Sequence, residues 1–318
     1  MQDDALRLEA FGSFHIGGRD VRLQGLPGRE ARYSAGWTET YDPNGVFAVE
    51  QMYVQYFLPA PRSGPPLVFW PGGGLTGANF ETTPDGRTGW LEYFMRRGRP
   101  VYGTDPVERG RSGWAMSPEI FPDAPIFMTK ERAFASFRFG DAGGYDDDPA
   151  RRRPYAGTQF PVQAFDAFVR QIVPRWAGNG EAARRAYRAL LEKTGPAVVV
   201  AFSSGATQAL QLAERHPGLF AGLVLLEPAG TGDGPDAQPL RDIPLLALYG
   251  DFLDRHPLWP GIRRRVGEYL RPCLGEGGRA AIVDLPQEGV RGNSHFLMMD
   301  RNSLELAARV EAWLAGNF

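Results

Sequence analysis

Residues 197–210 read "AVVVAFSSGATQAL", and this stretch decides the fold. Its first half is a continuous apolar run rich in valine, as a strand buried on both faces requires. Its second half places Ala206, Ala209, Leu210 and Ala213 at helical spacing. A strand that turns sharply into a helix belongs to a doubly wound sheet, where reactive groups collect at the carboxyl ends of the strands. The junction itself has two readings. The Ser-Ser pair is a helix N-cap, or one serine is a nucleophile on a strained strand-to-helix turn. Such a turn needs small residues two positions before and two after the nucleophile. Ser203 has Ala201 and Gly205 there, whereas Ser204 has the bulky Phe202 and Ala206. The frame selects Ser203, in "AFSSG", a variant of G-x-S-x-G with Ala first. The helix that follows aims its first N–H groups at any anion formed beside Ser203.

Outward from this stretch, short apolar runs alternate with helical patterns. They are "PLVFW" (66–70), "RPVYGTD" (99–105), "GLVLLEP" (222–228), "IPLLALYGD" (243–251) and "AAIVDLP" (280–286). Near-continuous apolar strands with helical crossovers predict a parallel sheet covered on both faces. The first 60 residues read differently. "SFHIGGRDVRLQG" predicts a hairpin turning at Gly-Gly, and "FAVEQMYVQYFLP" alternates as a half-buried antiparallel strand does. Together these give an α/β fold with a mostly parallel sheet of about eight strands, antiparallel at its N-terminal side. The expectation is one domain over residues 1–318, with a β extension over 1–60. The gap from 106 to 196 is too long for one crossover, and 114–160, rich in Pro, Gly, Phe and charge, predicts a cap or lid insertion.

Composition removes several classes. A formal net charge of −2 with arginines spread along the chain does not suggest a nucleic-acid partner. No run approaches the roughly 18 apolar residues of a membrane helix. The single cysteine, Cys273, excludes an internal disulfide and a cysteine zinc cluster, and suits a packed small residue better than a nucleophile. No metal or cofactor is expected. The start "MQDDALRLEA" lacks a signal-peptide profile, although "QDD" after Met would suit a trimmed mature end; a removed leader would mean a periplasmic or secreted protein.

A serine nucleophile needs a base, and the base an orienting acid. The chain has 4 histidines. His15 lies in the N-terminal β region, and His216 lies about three turns along the helix that starts at Ser203. His256 follows the strand "LLALYGD", and His295 sits in "GVRGNSHFLMMD", between the last strand and the last helix. The chain order Ser, acid, His favours His295. The last helix carries Asn302 as cap with Glu305 three positions on. Asp251, Asp254 and Glu227 all lie at or just beyond strand ends, and chemistry accepts any of them as the acid. A carboxylate closing an apolar strand is costly to bury alone, so Glu227 implies a partner.

"LVFWPGGGLTGANF" contains G-x-G-x-x-G at Gly72, Gly74 and Gly77, with Glu92 about 20 residues on. A dinucleotide-binding oxidoreductase is therefore a rival reading. It is the weaker one, because Glu92 sits in a helical run and Ser203 and His295 stay unexplained. Read with the serine, the same loop supplies an oxyanion site from the N–H groups of Gly73 and Ser204.

Strand, glycine loop, "TDPVERGRSG" (104–113), serine turn, strand-end carboxylates and late histidine together resemble the α/β-hydrolase superfamily. From about residue 66 on, "GLTGANFETTPDGRTGWLEYF" (74–94), "LLEPAG" (225–230) and "GVRGNSHFLMMDRNS" (289–303) are similar to an atypical branch of bacterial carboxylesterases. The resemblance implies the α/β-hydrolase fold and a Ser-His-Glu triad of Ser203, His295 and Glu227, with Asp251 as the alternative acid. It implies hydrolysis of a carboxylic ester through an acyl-enzyme. The same constellation also serves lactones, thioesters, amides and carbon–carbon bonds. The branch carries His-Gly and adjacent cysteines in its oxyanion loop, where this chain has Pro71-Gly72-Gly73-Gly74. Leu75, Phe202, Phe296 and Met299 are candidates to line an apolar substrate pocket, and each suits the core equally. The implied partner is a small-molecule ester; a homodimer stays open.

Overall fold

The computed structural model describes residues 5–318. Ten strands form: β1 (Leu8–Leu23), β2 (Arg29–Ser34), β3 (Trp37–Tyr41), β4 (Gly45–Pro59), β5 (Leu67–Trp70), β6 (Val101–Asp105), β7 (Ala197–Phe202), β8 (Phe220–Leu226), β9 (Leu245–Tyr249) and β10 (Ala280–Asp284). Eight of them make one sheet in the order β1-β4-β6-β5-β7-β8-β9-β10, and β2 pairs with β3 in a separate ribbon. The pairs β1/β4 and β4/β6 are antiparallel, and every pair from β6 across to β10 is parallel. The strands expected after residue 60 all form: the apolar runs of β5 to β9 are buried on both faces of the sheet, and β10 closes its edge half-exposed.

Alternation along β7 divides the core in two. Val198, Val200 and Phe202 join a cluster on one face with Phe69, Phe94, Leu306 and Val310. Val199 and Ala201 join the other face with Trp70, Tyr187, Leu190 and Leu210. Helices therefore cover both faces: Trp90–Met95 and Ser303–Asn317 on the first, Gly180–Thr194, Ser204–Arg215 and Trp259–Tyr269 on the second. Among the described residues no helix is long and apolar enough to cross a membrane. Cys273 is buried, donates its thiol to the Ala237 carbonyl and has its pKa pushed up by burial to about 11.

The Gly-Gly pair does not make the expected hairpin. β1 runs through it as a 16-residue strand paired along its length with β4. The glycines answer a packing demand. Gly17 has φ +70, and a Cβ there would lie 3.0 Å from the Cα of Ala186, on the helix Gly180–Thr194. The backbone is stripped so that the helix can approach the sheet. The true hairpin follows, at β2 and β3, where Tyr33 stacks on Trp37 with ring centroids 4.5 Å apart.

Residues 106–196 carry the helices Lys130–Ser136, Phe165–Val169 and Gly180–Thr194 among 3₁₀ turns. Phe134, Phe139, Phe160, Phe165 and Phe168 pack on one another and, through Phe139 and Phe168, on Phe296. This aromatic cluster ties the segment to the loop bearing His295, and backbone bonds from Gln159 N to Gly292 O and from His295 N to Phe137 O secure it.

Candidate active site

Ser203 sits between β7 and the helix Ser204–Arg215 with φ 54 and ψ −121. A non-glycine residue there is strained. The strain is held by the surroundings. Ser203 N–H donates to the Leu226 carbonyl, and the N–H groups of Ala206 and Ala229 donate to Ser203 O. Helix and glycine loop close in so tightly that a Cβ at Gly205 would lie 2.5 Å from the Pro71 carbonyl oxygen and 2.8 Å from that of Trp70. Only glycine fits, so Gly205→Ala should cost about 1–3 kcal/mol of stability in urea denaturation, by forcing backbone apart. An unchanged midpoint would show that the turn has slack.

The Ser203 side chain meets His295. Its Oγ lies 3.0 Å from His295 Nε2, and His295 Nδ1 lies 3.1 Å from Glu227 Oε2. Glu227 is fully buried at the end of β8, with φ 51. Its other oxygen, Oε1, accepts from Arg138 Nη2 at 2.7 Å and from the Gly250 N–H. Arg138 is itself fully buried, donates Nε to the Asp251 carbonyl, and packs its guanidinium 4.9 Å from the centre of the Trp259 ring. Burial opposes ionisation of Glu227, but the Arg138 charge and the His295 ring outweigh it and hold the carboxyl below its usual range. Burial pushes His295 below the ordinary imidazole value, against the opposing pull of Glu227. Phe137 stacks on the imidazole with an interplanar angle of 11°, and Phe202 and Trp259 lie against it at 4.7 and 4.9 Å between ring centres.

The loop bearing His295 is braced by Asp300. This buried carboxylate accepts from Ser294 N, Ser294 Oγ and Asn293 Nδ2, while burial raises its pKa to about 7. Asn302 makes no side-chain cap to the last helix. Its amide pairs with that of Asn293 instead, which holds the loop from the other side.

The remaining candidates lie elsewhere. Asp251 accepts from the N–H groups of Phe252 and Gly292, and so shapes loops rather than the imidazole. His256 turns Nδ1 to the Leu258 N–H, and His15 Nε2 donates to the Arg111 carbonyl. Glu92 pairs with Arg96 one turn on, on the solvent-facing side of an otherwise buried helix. Gly73 lies beside Ser204, where a Cβ would be 3.0 Å from the Ser204 Oγ. Among the described residues neither the Gly73 nor the Ser204 N–H has an acceptor. The loop is anchored by the Gly72 carbonyl, which accepts from Arg109 Nη1 at 2.6 Å, and by the Gly74 carbonyl, which accepts from Val173 N at 2.8 Å.

A cavity of about 220 Å³ opens beside Ser203 and Ser204. Its walls include Ile126, Met128, Phe137, Ile172, Arg132 and Arg175. The candidate lining residues Leu75, Phe202, Phe296 and Met299 are in the sealed core instead and do not border it. Phe202 and Phe296 pack on the His295 ring and on each other, at 4.7, 5.7 and 4.9 Å between ring centres. Arg138, Arg132 and Arg175 were not visible as site residues. The one signal for Arg138 was a lone charge in the aromatic run "FASFRFG" (134–140), which asked for a buried anion.

No family model matches the chain. A bacterial esterase of known structure is 32% identical with a TM-score of 0.84, over 98% of this chain and 97% of that one. A probable secreted lipase of a fungal species (strain ATCC 74256) is 27% identical over 87% of this chain and 89% of its own length. With the eight-stranded sheet, antiparallel at one end, and with a relative of this identity along nearly its whole length, the chain belongs to the α/β-hydrolase superfamily and is a carboxylic ester hydrolase.

Proposed function

We propose that the chain cleaves its ester through an acyl-enzyme formed on Ser203, with His295 as general base and then acid, and Glu227 as the acid that orients it. The observation that carries this reading is the unbroken run from Ser203 Oγ through His295 to Glu227, at 3.0 and 3.1 Å, on a serine held at φ 54. Ser203 Oγ attacks the carbonyl carbon while its proton passes to His295 Nε2. The tetrahedral oxyanion is met by the N–H groups of Gly73 and Ser204, each worth about 3 kcal/mol of barrier. Collapse breaks the ester bond, and His295 returns the proton to the departing alcohol. A water molecule then attacks the acyl-enzyme, giving its proton to His295, and the acid leaves as Ser203 regains its hydrogen. Glu227 stays ionised throughout, so that Nδ1 keeps its proton and Nε2 its lone pair. Residues 114–160 act as the cap over this site.

Intact mass after treatment with a fluorophosphonate tests the reading. One adduct is expected on the parent and none on Ser203→Ala. An adduct retained in Ser203→Ala would refute the assignment.

The pH profile follows from the same geometry. The active form holds neutral His295, and burial makes protonation harder than in water. The acid limb of kcat/KM on an uncharged ester should therefore have its midpoint below pH ~6.5, the ordinary imidazole value, with activity rising as pH rises through it. A midpoint above that value would contradict the site's electrostatics.

A further inference from the structure

We infer that the acyl group this enzyme releases bears a carboxylate of its own, received by Arg175 inside the cavity with Arg132 at its rim; the inference rests on Ser203 being the nucleophile.

The cavity beside Ser203 has apolar walls, and among its lining residues there are two guanidinium groups and no Asp or Glu. Arg175 is half-buried, and its backbone is fixed: its N–H and C=O exchange hydrogen bonds with Ile126 in an isolated antiparallel bridge. The guanidinium lies over the oxyanion loop, where a Cβ at Gly73 would be 2.3 Å from its Nη1. Among the described residues its side chain makes no hydrogen bond and no ion pair. Other guanidinium groups withdrawn from water are partnered: Arg99, Arg138 and Arg152 each meet a carboxylate, and Arg109 donates to the Gly72 and Leu75 carbonyls. Arg175 faces the like charges of Arg132 and Arg109, and its pKa is lowered by burial first and then by Arg132. Arg132 is exposed and also has no side-chain partner among the described residues. A cation half out of water beside a second cation is costly, and an incoming anion offsets that cost.

The position selects the acyl side. The leaving alcohol departs toward His295 Nε2, and His295 does not line this cavity, whereas Gly73 and Arg175 do. One half-buried guanidinium matches one negative charge in a planar fork, which favours a carboxylate over a dianionic phosphate. The volume, about 220 Å³, lies below the roughly 300–1,000 Å³ of drug-sized sites and suits a short chain. The substrate class is thus the half-ester of a short dicarboxylic acid.

The experiment compares kcat/KM for the 4-nitrophenyl half-ester of glutarate with that for 4-nitrophenyl pentanoate, after subtraction of spontaneous hydrolysis. Parent, Arg175→Met and Arg175→Lys are measured, with sites counted by fluorophosphonate adduct. The parent should prefer the half-ester by about tenfold or more, the range for a charge-assisted contact. Arg175→Met should lose that preference, and Arg175→Lys should keep part of it. A parent that prefers pentanoate overturns the inference without recourse to any variant. A ratio unchanged in Arg175→Met, or both esters falling in equal proportion, also overturns it; the latter places the guanidinium at the oxyanion instead. Failure of the adduct on Ser203 removes the nucleophile and this inference together, whereas an adduct with no anionic preference removes this inference alone.

Discussion

Ser203→Ala should lower kcat on a 4-nitrophenyl ester by about 10⁶-fold, the loss seen when a serine nucleophile is removed from an otherwise complete site. Stability should barely move, within about 0.5 kcal/mol in urea denaturation, for a specific reason. The strained φ of 54 is imposed by backbone bonds to Leu226, Ala206 and Ala229, and alanine inherits it at the same cost as serine. The lost side-chain contact is the one to His295, which is left with its Glu227 partner. Ser204→Ala is the control. Its proposed contribution is its backbone N–H, which alanine keeps, so the loss in kcat should stay within about tenfold. Comparable losses in the two variants would mean that both hydroxyls are needed, and the single-nucleophile reading would fall.

Glu227→Gln should act twice. Glu227 is surrounded by donors: Arg138 Nη2 and Gly250 N–H on one oxygen, His295 Nδ1 on the other. A glutamine has one acceptor oxygen. If its NH₂ faces His295, Nδ1 must become the acceptor and the ring carries its proton on Nε2, unable to take one from Ser203. That wrong tautomer should lower kcat by about 10⁴-fold. If the NH₂ faces Arg138 and Gly250, donors oppose donors. Either way the fully buried Arg138 loses its counter-charge, which should cost about 3–5 kcal/mol in urea denaturation. Asp251→Asn removes one acceptor from the Phe252 and Gly292 N–H groups and leaves the Arg138 bond to the Asp251 backbone carbonyl in place. Its activity should stay within about tenfold of the parent, since it loses one neutral hydrogen bond away from the imidazole. The reverse pattern, with Asp251→Asn inactive and Glu227→Gln mild, would reassign the acid. The sign of the pH effect on stability follows from the depressed pKa of Glu227. Its stabilising contribution is present above the ordinary carboxylate range and disappears as pH falls through the folded value.

Gly250 illustrates how closely this arrangement is built. A Cβ there would lie 2.7 Å from the Ser294 carbonyl oxygen, 2.8 Å from that of Asn293 and 3.1 Å from Glu227 Oε1. The end of β9, the loop before His295 and the buried carboxylate thus touch through one residue with no side chain. "LYGD" (248–251) draws the eye to Asp251 as the strand-end acid. The contribution to Glu227 comes from the Gly250 N–H beside it.

By itself the sequence determined the sheet and the frame of the serine turn. Valine and leucine runs buried on both faces have no other stable home, and the small residues around Ser203 are demanded by a turn whose helix and strand nearly touch. Where the demand was tertiary, local pattern misled. Gly17 and Gly18 carry a hairpin signal, yet Gly17 serves the approach of a helix about 170 residues later in the chain and Gly18 lies against Val49 and Gln51 of β4, which no local pattern records. Phe202 and Phe296 are apolar and near the serine, which fits a pocket wall and a sealed core equally; only packing around the imidazole decided for the core. Arg138, Arg132 and Arg175 lie in a segment whose periodicity says nothing about where its loops land. Their placement depends on the phenylalanine cluster that seats the segment on the loop carrying His295, a set of contacts between residues distant in sequence. Charge in the site was therefore decided by tertiary structure, because a guanidinium acquires its meaning from what it faces: a buried carboxylate for Arg138, an open cavity for Arg175.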